Sequence, residues 1–139
     1  MAQKATPQKE NVLKFDQAFS TYSINDVEAA KSFYADKLGI EVVDQKEGGI
    51  SLKLGGQNVY LYPKDDHQPA SFTVLNIPTD DIDRAVDELR SRGITFESYG
   101  GDIATDDKGI FRGADKAQGP NLAWFKDPAG NIISVIEQK

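Results

Sequence analysis

The sequence predicts an α+β domain made of two similar modules, each with a strand, a helix and three further strands. Two short motifs recur along the chain: Asp-Val-Glu at 26–28 returns as Asp-Ile-Asp at 81–83, and Gly-Ile at 39–40 returns at 93–94. The first motif recurs after 55 positions and the second after 54, so the second helix is one residue shorter. A unit of about 50 residues is too small to bury its own sheet, so the two modules must pack together.

Length and composition limit the kinds of protein this can be. The 139 residues suit one domain, and a net charge of −6 from 22 acidic and 16 basic side chains is the opposite of a nucleic-acid footprint. No apolar run approaches the roughly 20 residues needed to cross a bilayer. The first residues lack the apolar segment of a signal peptide. We therefore expect a cytoplasmic protein that binds neither nucleic acid nor membranes.

Cysteine is absent and histidine occurs once, as His67. These counts exclude thiolate catalysis, disulfides, cysteine-ligated zinc and a two-histidine metal site within one chain. His67 follows Asp65 and Asp66 in a polar segment. It is either a general base poised by carboxylates or an exposed linker histidine.

The first module is predicted at 15–63, after a flexible tail at 1–14. Its first strand covers 19–24, and Asn25 or Asp26 caps a helix that ends at Gly39. Three strands follow at 40–44, 50–54 and 59–62, the last two joined by the turn Gly-Gly-Gln-Asn.

The second module is predicted at 70–138, after a polar linker at 64–69, and the single domain at 15–139 comprises both modules. It begins with a strand at 70–77 and a helix capped by Asp80 or Asp81. A strand at 94–97 and a long loop at 98–120 follow. A hairpin with the turn Asp-Pro-Ala-Gly-Asn at 127–131 closes the module.

The order of these elements and three motifs identify a family. The helix entry Asn-Asp-Val-Glu-Ala-Ala at 25–30, the Phe-Tyr and Leu-Gly pairs at 33–34 and 38–39, and the segment 125–131 resemble the vicinal oxygen chelate superfamily. That superfamily includes glyoxalases, bleomycin-resistance proteins and extradiol dioxygenases. The resemblance implies a curved mixed sheet of paired βαβββ modules around a cleft, in an α+β domain.

The resemblance also locates the positions where enzymes of the superfamily hold a metal. They fall here on Phe19, Tyr60, Thr73 and Ser134. None of these is a carboxylate or an imidazole, and isolated hydroxyls bind divalent ions weakly. We therefore predict no metal site and no cofactor, and leave open whether the protein is an enzyme.

Aromatic and hydroxyl side chains are the alternative candidates for a binding site. If the sheets curve around a cleft, rings on the strands would line it and offer apolar area to an organic ligand. The alternative is that these rings belong to the ordinary core of the sheets. In the long loop, Phe111 and Arg112 lie between two glycines and would close over a ligand, or Arg112 would pair with Asp106 or Asp107. The predicted ligand-binding residues are Phe19, Thr21, Tyr60, Tyr62, Phe72, Thr73, Phe111, Arg112, Trp124 and Ser134.

Three functions remain compatible with the sequence. The first is metal-independent binding of a small organic molecule, cationic or aromatic given the acidic chain, in the cleft between the modules. The second is a metal-dependent lyase, isomerase or dioxygenase of the glyoxalase type. The third is an interaction module whose cleft is filled by its own side chains. By analogy with the superfamily we expect a homodimer.

Overall fold

The computed structural model describes residues 12–139, and most of the predicted tail at 1–14 lies outside the described residues. The first sheet contains β1 (Ser20–Ile24), β2 (Glu41–Asp44), β3 (Ile50–Lys53) and β4 (Asn58–Pro63), in the order β1-β4-β3-β2. β1 is parallel to β4, and the other pairs are antiparallel. Helix α1 (Val27–Lys31) continues as a π-helical segment, Ser32–Lys37.

The second module repeats this arrangement. Its sheet contains β5 (Thr73–Thr79), β6 (Ile110–Arg112), β7 (Asn121–Lys126) and β8 (Ile132–Glu137), in the order β5-β8-β7-β6. Helix α2 spans Ile82–Ser91. Two four-stranded mixed sheets with two helices confirm the predicted α+β class. Among the described residues no helix has the length and hydropathy of a membrane span.

Both helices begin as the sequence indicates. Asp26 caps α1 by accepting a hydrogen bond from the Ala29 N–H at 3.0 Å, and Asp81 caps α2 through the Arg84 N–H at 3.1 Å. Gly39 and Gly93 follow the two helices with φ of 77° and 90°, a conformation that glycine adopts without steric cost. The equivalent caps and terminal glycines therefore make the two helices begin and end at corresponding positions of the modules.

The prediction for 94–120 is wrong in part. The expected strand at 94–97 is reduced to one bridge, Phe96 to Phe125, and the expected loop contains β6. The chain leaves the sheet after Glu97, whose N–H donates to the Trp124 carbonyl at 2.8 Å, and returns as β6 along the rest of β7. Gly109 stands where the two pieces meet, and a Cβ there would lie 2.9 Å from the Cβ of Phe96. Two segments thus share the edge position that one strand takes in the first module.

The modules share one core. Alternation places Ile24, Leu52 and Leu61 of the first sheet and Ile133 and Val135 of the second in a single buried cluster with both helices. Phe33 of the π-helical segment packs against Phe125 of β7, with ring centroids 6.0 Å apart. The helix-facing sides of both sheets therefore belong to the same interior.

A buried polar network also joins the modules. The Tyr34 hydroxyl donates to Asp127 at 2.8 Å and accepts from the Tyr22 hydroxyl at 2.7 Å. Asp127 further accepts from the backbone N–H groups of Ala129 and Asn131, and the Asn131 side chain donates to the Ser23 carbonyl at 2.9 Å. Burial raises the pKa of both tyrosines well above the ordinary value, so each remains a hydroxyl donor.

Replacing Tyr34 by Phe tests this link between the modules. The substitution removes one donor to a carboxylate that is 4% exposed, and we expect a loss of about 1–3 kcal/mol in the free energy of unfolding, measured with urea. Tyr62→Phe, at a half-buried position of β4, is the control and should change stability by less than about 0.5 kcal/mol. Equal stability of the two variants would contradict the proposed role of Tyr34.

Candidate functional site

The first sheet has one side without a helix, which we call the first open face. Side chains alternate across a strand, so the residues between the buried ones in β1 and β4 point to this side. The strand register aligns Thr21, Tyr60 and Ser51 across it, with Tyr62 and Asn58 next to Tyr60 along β4. Four predicted ligand-binding residues lie here: Phe19, Thr21, Tyr60 and Tyr62.

A cavity of about 440 Å³ lies over this face. Its wall is formed by the rings of Phe19 and Tyr60 together with polar side chains of the first module. These polar residues are Gln45, Glu47, Ser51, Lys53 and Asn58. All of the lining comes from one module, whereas the sequence indicated a cleft between the two.

The two tyrosines form a small aromatic platform. Their ring centroids are 6.3 Å apart with planes inclined by 22°. Tyr60 lies against Gly49, where a Cβ would come within 2.8 Å of its ring and 2.9 Å of its hydroxyl. The Thr21 hydroxyl donates to the Tyr60 carbonyl at 2.7 Å and fixes the neighbouring backbone. The absence of a side chain at Gly49 therefore allows the Tyr60 ring to pack closely on the sheet.

Polar groups surround the platform. The Gln45 side-chain amide donates to the Ser51 hydroxyl at 2.8 Å, and Ser51 is 7% exposed. Glu47 and Lys53 have no ion-pair partner in the described part of the chain, so both charges are available to a ligand. These residues could not be predicted from the sequence, because their proximity depends on the register between β2, β3 and β4.

The corresponding side of the second sheet is the second open face, and it holds other predicted residues. Trp124 and Ser134 are register partners on it, and Phe111 lies 6.2 Å from Trp124, ring to ring. Ser134 is fully buried, and its hydroxyl donates to the Asn76 side-chain oxygen at 2.5 Å. Thr73 pairs with Ile132 next to a β-bulge. Within residues 12–139 no hydrogen bond or ring pair joins the predicted residues of the two faces.

Two predicted residues lie elsewhere. Phe72 is 67% exposed, just before β5. Arg112 points to the helix side of its sheet, where its guanidinium donates to Asp83 at 2.8 and 3.0 Å and to Asp106 at 3.0 Å. Phe111 and Arg112 lie in β6, which is paired with β7. The expectation that they close over a ligand as part of a loop is therefore corrected. Arg112 instead anchors β6 to α2.

The residues at the expected metal positions do not fit a divalent ion. Phe19 has no donor atom, the Tyr60 hydroxyl packs on Gly49, and the Ser134 hydroxyl is already bonded to Asn76. Across residues 12–139 no three His, Cys, Asp or Glu side chains converge as a ligand group. Hydroxyls without carboxylates are weak ligands for such ions.

His67 has a defined position in the described structure. Its Nε2 lies 2.9 Å from the Ala129 carbonyl, and its Nδ1 lies 2.6 Å from the Ser23 hydroxyl. Because a carbonyl only accepts, Nε2 carries a hydrogen, and in the neutral ring Nδ1 accepts from Ser23. The imidazole is half-buried and connects the linker, β1 and the turn of the closing hairpin.

Comparison with known proteins agrees with the fold. The model of a family described as "Glyoxalase/Bleomycin resistance protein/Dioxygenase superfamily" matches residues 15–135. A member of that superfamily from Sphaerobacter thermophilus is 25% identical, with a TM-score of 0.61 over 87% of this chain and 97% of that one. TnmS3, an antibiotic binding protein from Streptomyces, is 22% identical, with a TM-score of 0.62 over 94% and 100% of the two chains. Among curated proteins none matches the chain.

The ion pair between Asp83 and Arg112 predicts a dependence of stability on pH. Hydrogen bonds from Arg112, and then from Lys108, hold the pKa of the Asp83 carboxyl well below its usual range. Asp83 thus contributes stability above its unfolded pKa of about 3.9, and this contribution is lost as the pH falls through the lower folded value. Asp83→Asn should reduce the free energy of unfolding at pH 7, and its difference from the wild type should shrink in acid.

The measurement is urea unfolding between pH 2 and 7. Asp36→Asn, at an exposed position without an ion pair in the described structure, is the control. A difference between Asp83→Asn and the wild type that stays constant over this range would show that the ion pair adds no stability.

The donor set also predicts the response to metals. Zn²⁺, Ni²⁺, Mn²⁺ and Fe²⁺ should leave the Tm of protein treated with EDTA unchanged, because a ligand that binds only the folded state would raise it. An increase that grows with metal concentration and is reversed by EDTA would reveal a site that the described side chains do not form.

Proposed function

The chain belongs to the Glyoxalase/Bleomycin resistance protein/Dioxygenase superfamily, and we propose that it binds a small organic molecule, without a metal ion, in the cavity over its first open face. The observation that carries this proposal is the Tyr60–Tyr62 platform, whose Tyr60 ring lines a cavity of about 440 Å³. A volume of this size suits a small ligand.

The chemistry of the lining favours a ligand with an aromatic ring and a positive charge. Tyrosine faces attract flat rings and cations, and Glu47 supplies a carboxylate without a partner in the described structure. Lys53 provides a donor at the same cavity, which suits a carbonyl or hydroxyl group elsewhere on the ligand. The net charge of −6 adds a general attraction for cations.

The fold is compatible with such a role. Among neighbours of the same fold, TnmS3 is described as an antibiotic binding protein. At 22% identity this likeness concerns the fold, so the ligand of that protein is not transferred to this chain. The metal-dependent alternative receives no support from the residues at the expected ligand positions.

We further propose that the protein works as a homodimer. Large apolar side chains just before the first strand of each module are exposed, Phe19 by 64% and Phe72 by 67%. A second copy that covers these rings would remove apolar surface from water and enclose a ligand more completely than one module does.

Benzyltrimethylammonium, an aromatic cation, provides a direct test by NMR titration. We expect saturable shifts of resonances from the first open face, and a dissociation constant about 3- to 30-fold higher for Tyr60→Leu, because a ring–cation contact is lost. Tyr99→Leu removes a ring that contacts Trp124 outside this cavity, and it should bind as the wild type does.

Two results would contradict the proposal. Equal affinity of Tyr60→Leu and the wild type would exclude the tyrosine platform as the site. Equal affinity for neopentylbenzene, the neutral isostere, would exclude a preference for charge.

A further inference from the structure

The two modules present equivalent strand edges, β1 in the first sheet and β5 in the second. The shift of 55 positions that relates the helix motifs also relates Thr21 to Asn76 and Ser23 to Pro78. The register agrees, because Thr21 pairs with Tyr60 and Asn76 pairs with Ser134, the equivalent residues of β4 and β8. The surroundings of the two edges can therefore be compared position by position.

The outer edge of β1 is covered at Ser23. The Ile24 carbonyl accepts from the Lys64 N–H on the β4 side, so by alternation the Ser23 carbonyl points outward. There it accepts from the Asn131 side chain at 2.9 Å, and the Ser23 hydroxyl is bonded to His67. The closing hairpin of the second module thus protects the end of the β1 edge at Ser23.

The outer edge of β5 lacks this cover at the equivalent position, Pro78. The Thr79 carbonyl accepts from the Gln138 N–H on the β8 side, so the backbone groups of Asn76 and the carbonyl of Pro78 point outward. No residue of the described chain bonds to these outward groups. The turn equivalent to 127–131 is 54–57 in the first module, and it leaves a groove of about 720 Å³ against β5.

The groove is uncharged and largely apolar. Leu54 and Val59 line one side, Leu75 and Ile77 the other, and none of its lining residues carries a charge. Edge strands are normally protected by charged side chains, proline or a covering segment. β5 has no charged residue, and Pro78 near its end is its one such feature.

We propose that this groove binds an extended, uncharged peptide segment that adds a strand to the second sheet. The Asn76 N–H and the carbonyls of Asn76 and Pro78 would pair with the peptide backbone, and alternate apolar side chains would enter between Leu54 and Ile77. Main-chain pairing of this kind supplies affinity, and the side-chain pockets supply selectivity. This site is separate from the cavity over the first open face, so each proposal can fail alone.

The probe is the capped peptide acetyl-(Val-Thr)₃-amide, titrated into ¹⁵N-labelled protein and followed by NMR. We expect a saturable shift of the Asn76 amide and slower hydrogen exchange there. Strand pairing is tested with two series of the same peptide. In one series the backbone nitrogens of the valines are methylated, and in the other series those of the threonines. Because only one edge of the peptide meets β5, one series should bind about tenfold more weakly and the other should retain binding.

Gly56→Trp blocks the groove, because a Cβ at this lining position meets no atom within 4 Å and its backbone is not left-handed. Gly100→Trp, equally unhindered but remote from the groove, is the matched control. The first variant should lose peptide binding and the second should keep it. Gln57→Trp on the same turn replaces Gly56→Trp if the latter misfolds.

Three outcomes would overturn the proposal: no shift of Asn76 at millimolar peptide, equal binding of both methylated series, or full binding by Gly56→Trp. A shift of Asn76 on dilution of the protein without peptide, abolished in Gly56→Trp, would assign the groove to a second copy of this chain and also overturn it.

Discussion

The structure depends on one buried carboxylate, that of Asp127. A carboxyl group that is 4% exposed is tolerated only when its oxygens are bonded, and here they accept from the turn backbone, from Tyr34 and from Asn131. Because these partners belong to the closing hairpin and to the segment after α1, satisfying the carboxylate requires both modules. The Asn131 side chain, held by the same carboxylate, then reaches the backbone of β1. The hydrogen bonds that this carboxylate requires thus hold the two modules together.

Much of the fold could be predicted because its signals are local. Helix caps at Asp26 and Asp81 and the glycines that end the helices act within a few residues, so the repeat is visible in the sequence. The edge of the second sheet could not be predicted in this way. Whether 94–97 or 110–112 pairs with β7 is decided by contacts distant in sequence, such as the packing of Gly109 on Phe96. The glycines and mixed polarity of the segment 98–120 favoured a loop, although the three-residue strand β6 lies within this segment.

The same distinction between local signals and contacts distant in sequence applies to the candidate site. Alternation in β1 and β4 was enough to bring Thr21, Tyr60 and Tyr62 to one face, since period two is readable from sequence. Gln45, Glu47 and Lys53 join them only through the register between antiparallel strands. Arg112 lies on the opposite side of its sheet, where it pairs with Asp83 and with Asp106, the second of which was among the expected partners. Its side could not be predicted because the strand β6 was not predicted.

The π-helical segment of the first module has a consequence for how the two modules diverged. A turn with a hydrogen bond from Leu38 to Phe33 holds one more residue than an α-helical turn, and the first helix is one residue longer than the second. The wider turn absorbs this residue, so the glycines that end the two helices remain equivalent. If the modules arose by duplication, a single inserted codon accounts for the difference. The π-helical segment also carries Tyr34, which bonds to Asp127. The two modules therefore differ here in the length of the helix as well as in their side chains.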